Sequence, residues 1–159
     1  MAILEIKKYP NPILREKSKE VREITEEIKN LGQEMVKIVI VKEGVGLAGP
    51  QVGQLKRIIV VCRQKGLPEV FINPKIVKKN KETEIGEEGC LSFPDLYLKI
   101  KRAKGAEIEA LDIEGKTIYQ KAEGLSARVF QHEIDHLDGI LFIDRISFWQ
   151  RFKLKRQLK

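Results

Sequence analysis

Apolar residues early in the chain return every three or four positions: Ile24, Ile28, Leu31, Met35, Ile38 and Val39. That period predicts an amphipathic helix, and Glu26 and Glu27 fall in its first turn, where unpaired backbone N–H groups favour acids. Asn11-Pro12 marks a loop before it, and Gly44, Gly46 and Gly49 a glycine-rich loop after it. Farther on, residues 56–62 and 70–76 read as strands separated by the turn-like Gly66-Leu67-Pro68. Residues 106–111 and 117–121 alternate around a loop at 113–116 and read as a hairpin. Ser126 is placed to cap a second helix reaching about Asp138, with Gly139 as its stop. Helix, strands, then helix, without regular βαβ alternation, is an α+β pattern.

The 159 residues are enough for one apolar core, and no repeat or linker divides them. With 42% hydrophobic and 33% charged residues the chain is expected to fold rather than stay disordered. Two cysteines cannot build a disulfide scaffold, so no disulfide and a reducing compartment are expected. The longest apolar run, 58–62, is far short of the roughly 18–20 residues that span a bilayer. Residues 1–12 lack the apolar stretch of a signal peptide, which leaves a cytoplasmic protein as the expectation. The net charge of +7 is concentrated near one end: Arg145, Arg151, Lys153, Lys155, Arg156 and Lys159 have no acidic neighbours among residues 145–159. The chain therefore reads as a nearly neutral domain, 1–146, followed by a basic helical tail, 147–159. Such a tail suits nucleic acid, a ribosome or another acidic surface, or it is a terminal helix that packs Phe148, Trp149 and Phe152 and leaves its basic face solvated.

The densest chemistry is in QHEIDHLDG, residues 131–139. His132 and His136 are four apart, hence on one helix face and able to share a metal ion, and Glu133 beside them can move a proton of activated water. Two histidines in such a pattern arise by chance with a frequency on the order of 0.1%, which favours a catalytic site over a solvated helix face. A catalytic zinc-type site commonly takes three protein ligands and leaves one position open. Proteases with a third histidine after the glycine would need it where Phe142 stands, and no acid follows Asp144 to serve as a downstream Glu. An upstream thiolate remains. Cys62 ends an apolar strand and reads as core, whereas Cys90 lies in EEGCLSFP, a predicted loop that can present its side chain; Asp138 and Asp144 are poorer substitutes.

Gly44, Gly46 and Gly49 also spell GxGxxG. A dinucleotide fold needs a strand before that loop and a helix after it, and here the order is reversed. Glycines here either form a tight turn or let the backbone approach a ligand, and Gln51 beside them can offer its amide as a donor.

Together GVGLAGPQ at 44–51, EGCLS at 88–92 and QHEIDHLDG at 131–139 resemble the peptide deformylase family, in order and spacing, over nearly the whole chain. Ala48-Gly49 stands where the family usually has two alanines. The resemblance implies mixed or antiparallel strands packed around a central metal-binding helix. It implies hydrolysis of the N-formyl group from the initiator methionine of nascent polypeptides, releasing formate. Cys90, His132 and His136 would bind one divalent metal, typically Fe²⁺, with Zn²⁺, Ni²⁺ or Co²⁺ able to replace it. Glu133 would act as general base and then acid, and Gln51 with the Leu91 backbone N–H would stabilise the oxyanion. Val45, Gly46, Leu125 and Val129 would line the methionine pocket; ordinary core packing is the competing reading of Leu125 and Val129. Resemblance to some bacterial members also suggests that the basic tail docks on ribosomal RNA. A metalloprotease and a metal- or ribosome-binding module without catalysis are the alternatives; the missing downstream ligand opposes the first and Glu133 the second.

Overall fold

The computed structural model describes residues 4–64 and 67–157. Helix α1 spans Glu26–Val41, with Thr25 as its cap: the Thr25 hydroxyl accepts from the backbone N–H of Ile28 at 3.3 Å. Strands β1 (Gly46–Ala48), β2 (Ile58–Gln64), β3 (Leu67–Lys79), β4 (Thr83–Cys90), β5 (Phe93–Ala103), β6 (Gly105–Leu111) and β7 (Thr117–Glu123) follow, then helices α2 (Gly124–Leu137) and α3 (Phe148–Gln157). Five strands form one antiparallel sheet in the order β1-β2-β3-β6-β7, and β4 pairs with β5 in a separate hairpin.

The run Ile-Ile-Val-Val in β2 is unbroken because both faces of that strand are covered. Ile58 and Val60 join Ile28, Met35 and Val39 of α1 in one core cluster. Ile59 and Val61 join Val129, Phe130, Ile134 and Leu137 of α2 in another. On the α2 side, Phe130 meets Phe71 of β3 edge-on, with ring centroids 4.9 Å apart. α2 is therefore central: every residue from Ala127 to Leu137 is buried.

Four local expectations need correction. Leu67 and Pro68 are not a turn; they open β3, where Leu67 pairs with Gln64 and Pro68 with Cys62. A proline is tolerated there because it stands at the start of the strand. Gly66 lies outside the described residues. Ser126 is not the cap of α2, which begins at Gly124 in a left-handed conformation (φ 61°) after Glu123. The segment around Cys90 is not an isolated loop but the tip of the β4–β5 hairpin, which hydrophobic alternation cannot reveal because inward positions Glu88 and Arg102 are charged.

The fourth correction concerns the tail. It is helical, but Phe148, Trp149 and Phe152 are 66%, 71% and 50% exposed. Leu154 packs instead, with Leu14, Phe93, Ile100 and Phe142. Leu154 follows Phe152 by two positions, about 200° around the helix, so seating one turns the other outward.

Candidate active site

Cys90 ends β4 and meets the two histidines of α2. Its Sγ lies 3.4 Å from Nε2 of His136, and one donor atom from each of Cys90, His132 and His136 lies within 4.8 Å of the others. Sulfur and nitrogen ligands at usual bond lengths around a tetrahedral ion sit about 3.6 Å apart, so this donor set fits a metal. The other candidates face elsewhere. Cys62 Sγ is 3.8 Å from the Gly44 carbonyl, Asp138 pairs with Arg57 at 3.0 Å, and Asp144 pairs with Arg15.

His132 is oriented from behind. Its Nδ1 donates to Glu88 Oε1 at 2.8 Å, which turns Nε2 towards Cys90 and His136. Glu88 lies two residues before Cys90 on the inward side of β4. Arg102 grips the same carboxylate through Nε at 2.8 Å and Nη2 at 3.0 Å, and Arg128 adds Nη1 at 2.8 Å. Burial disfavours the Glu88 charge, but the bonds from His132 and Arg102 outweigh it and hold its pKa down at about 2. Arg102 also donates to Asp135 at 2.6 Å, which accepts a fork from Arg145 at 2.8 and 3.1 Å. Sequence reasoning quoted Glu88 without a role and missed Arg102, Arg128 and Asp135. The signal was period-two spacing from Cys90 to Glu88, legible only once β4 is known to be a strand.

Glu133 is buried beside His132, and its Oε1 has no hydrogen-bond partner among the described residues. Burial pushes its carboxyl up to about 7; a cation bound nearby would favour the carboxylate again. Gly46 explains why a glycine faces this group: a Cβ there would sit 2.7 Å from Glu133 Oε2 and 2.8 Å from Val129 Cγ1.

The glycine-rich segment is β1 followed by a 3-10 turn, Gly49–Val52, that carries Gln51. Gln51 is fixed at both ends of its amide. Oε1 accepts from Ala48 N at 2.9 Å, while Nε2 donates to Ser92 Oγ at 3.1 Å and lies 3.5 Å from Cys90 Sγ. Gly49 lets the backbone close on itself here, since a Cβ would lie 2.6 Å from the carbonyl oxygens of Gln54 and Lys56. Leu91 stands at the tip of the β4–β5 hairpin, next to Cys90.

A cavity of about 480 Å³ opens over these groups, and Val45, Gly46, Leu91, Leu125, Val129 and Glu133 all border it. Leu125 is 66% exposed at its mouth, which removes the core reading of that residue. Val129 is 4% exposed and serves both the cavity wall and the core.

The family model described as polypeptide deformylase matches residues 3–152, a span that contains every site residue just described. The chain belongs to the peptide deformylase family. It is 48% identical over 147 residues to the peptide deformylase of Desulforudis audaxviator, covering 92% of this chain and 96% of that one. The crystal structure of the Thermotoga maritima peptide deformylase superposes with a TM-score of 0.88 at 41% identity, over 92% of this chain and 99% of that one. That of the Thermus thermophilus enzyme gives 0.91 at 38%, over 98% and 92%. The α+β fold is thus that of the peptide deformylases, and the Cys/His/His group lies on its central helix and adjoining hairpin. Membership makes the chain a metal-dependent hydrolase rather than a metal- or ribosome-binding module without catalysis. The dinucleotide reading of Gly44, Gly46 and Gly49 is excluded as well: the first two flank and open an edge strand, and no crossover helix follows.

Proposed function

We propose that this chain hydrolyses the N-formyl group from the initiator methionine of newly made polypeptides, releasing formate, with Cys90, His132 and His136 as its metal ligands. The clustering of those three donors beside the carboxylate oxygen of Glu133 that has no partner among the described residues is the observation that carries the reading. A divalent ion held there would lower the pKa of a water molecule from 15.7 towards roughly 7, making a nucleophile available at neutral pH.

The remaining roles belong to the chain's own groups. Glu133 takes a proton from the attacking water and returns it to the leaving amine nitrogen. The Gln51 amide, held by Ala48 and Ser92, and the Leu91 backbone N–H donate to the oxygen of the formyl carbonyl as it gains charge. Val45, Gly46, Leu125 and Val129 bound the space for the methionine side chain. One thiolate and two imidazoles suit several first-row ions; Fe²⁺ is our choice for the physiological ion, with Zn²⁺, Ni²⁺ and Co²⁺ as competitors. The reading puts the protein in the cytoplasm, where nascent chains emerge. Among the described residues no helix is long and apolar enough to cross a membrane.

The assay is formate release from a formyl-methionyl peptide under oxygen-free conditions, run beside an assay for internal peptide cleavage. Metal-loaded protein that releases no formate would overturn the proposal, and internal cleavage would favour a protease. The basic helix α3, with Phe148, Trp149 and Phe152 exposed, suits docking on ribosomal RNA. Such docking weakens steeply with salt. Unchanged ribosome co-sedimentation after truncation behind Ile146 would remove that role.

A further inference from the structure

Arg128 occupies an unusual place for a guanidinium. It sits on the buried central helix between Ala127 and Val129, borders the cavity, and its side chain is 11% exposed. Its Nη1 donates to Glu88 Oε2 at 2.8 Å and to the Ile100 carbonyl at 2.7 Å, and its Nη2 donates to the Glu84 carbonyl at 2.8 Å. The group therefore ties α2 to both strands of the β4–β5 hairpin and ends on the carboxylate that holds His132.

The ion count shows what that contact does. Two buried carboxylates, Glu88 and Asp135, share Arg102 between them. Asp135 has a second cation, Arg145, and among the described residues the guanidinium that Glu88 has besides its half-share of Arg102 is Arg128, with the imidazole of His132 on its other oxygen. With Oε2 occupied by Arg102 Nε and Arg128 Nη1, the carboxylate cannot swing about its Cγ–Cδ bond, and Oε1 stays on His132 Nδ1. The hairpin is shaped to admit this fork. A Cβ on Gly86 would lie 2.9 Å from Arg128 Cζ and 3.0 Å from Nε and Nη2, so the guanidinium is stacked on a bare Cα.

We propose that Arg128 is a positioning residue for the metal site, acting through Glu88 to fix the ring of His132, with Gly86 as the seat that keeps its fork in register. This rests on Cys90, His132 and His136 being the metal ligands. Partners that orient metal-binding histidines typically change metal affinity or activity about 10- to 100-fold when removed.

The test uses Co²⁺ as probe, with the wild type, Arg128→Met, Arg128→Lys and Gly86→Ala. Affinity is read by competition with a chelator, ligand geometry by the visible Co²⁺ spectrum, and melting temperature is read on the stripped proteins. Arg128→Met should bind Co²⁺ about 10- to 100-fold more weakly with an altered spectrum, and Arg128→Lys should recover part of the loss because it returns charge but not the fork. Gly86→Ala, which keeps every charge and displaces the guanidinium, should shift both readouts the same way and keeps the test open if Arg128→Met does not fold. Lower melting temperatures with wild-type Co²⁺ affinity and spectrum would make Arg128 a structural clamp only and overturn the proposal. A wild type that binds no Co²⁺ would overturn the ligand assignment instead, and this inference with it.

Discussion

His132 and Glu88 are joined by a 2.8 Å hydrogen bond between two buried side chains that lie 44 residues apart in sequence. The bond selects which imidazole nitrogen faces Cys90, and it is the point where the ion network of the β4–β5 hairpin meets the candidate metal centre.

Replacing Glu88 by Ala should therefore act twice. It frees the His132 ring, with a loss of about 10- to 100-fold in metal affinity or activity. It also takes the carboxylate from Arg128 and leaves Arg102 sharing Asp135 with Arg145, at a cost of about 3–5 kcal/mol in stability. Metal analysis after dialysis and urea unfolding measure the two effects separately. A stable variant with full metal content would contradict both.

Gln51→Ala should lower turnover about 100- to 1000-fold, since removing one oxyanion donor costs about 2.7–4 kcal/mol in the transition state. Because Gln51 Nε2 already has Ser92 Oγ at 3.1 Å, Ser92→Ala should produce a smaller loss of the same kind by loosening the amide. Steady-state formate release at saturating substrate distinguishes these from a binding defect.

Val129→Phe should fill the cavity wall beside Gly46 and raise the KM for formyl-methionyl peptides by roughly tenfold, the scale of one apolar pocket contact. The metal content should stay that of the wild type. Unchanged kinetics would leave Val129 with its core role alone.

Asp144 should shape the acid limit of stability. Burial disfavours its charge, but the Arg15 fork and the Leu141 N–H outweigh it and hold its carboxyl below the ordinary value of 3.8. A depressed folded pKa means that the contribution is complete above pH 3.8 and is lost as pH falls through the lower folded value. Asp144→Asn keeps an acceptor for Leu141 but loses the ion pair, so it should cost about 1 kcal/mol at neutral pH. The gap between variant and wild type should narrow below pH 3.8, as measured by unfolding across the acid range.

Local patterns were legible where local rules govern them. The α1 periodicity, the acidic first turn and the β6–β7 hairpin around Gly115 (φ 85°) follow from period, helix dipole and turn chemistry, and each appears in the structure. The β4–β5 hairpin was not legible as strands, because Glu88 and Arg102 occupy positions where an inward apolar residue marks a strand. The exposure of Phe148, Trp149 and Phe152 was hidden for a related reason. Three aromatics outrank one leucine in any sequence count, but the space left between Leu14, Phe93, Ile100 and Phe142 admits Leu154 from the opposite face.

By itself the sequence determined the α+β class, the family through its three motifs, and the His132–Glu133–His136 face, because four-residue spacing on a helix is a purely local geometry. Only the tertiary structure decided how Cys90 reaches that face, why Glu88 and Arg128 lie behind it, and which side of α3 meets the body. Those relationships join residues dozens of positions apart, and their energies come from burying charges together. A buried carboxylate has no partner until the chain has folded around it, so no local pattern could announce which cations would close on Glu88.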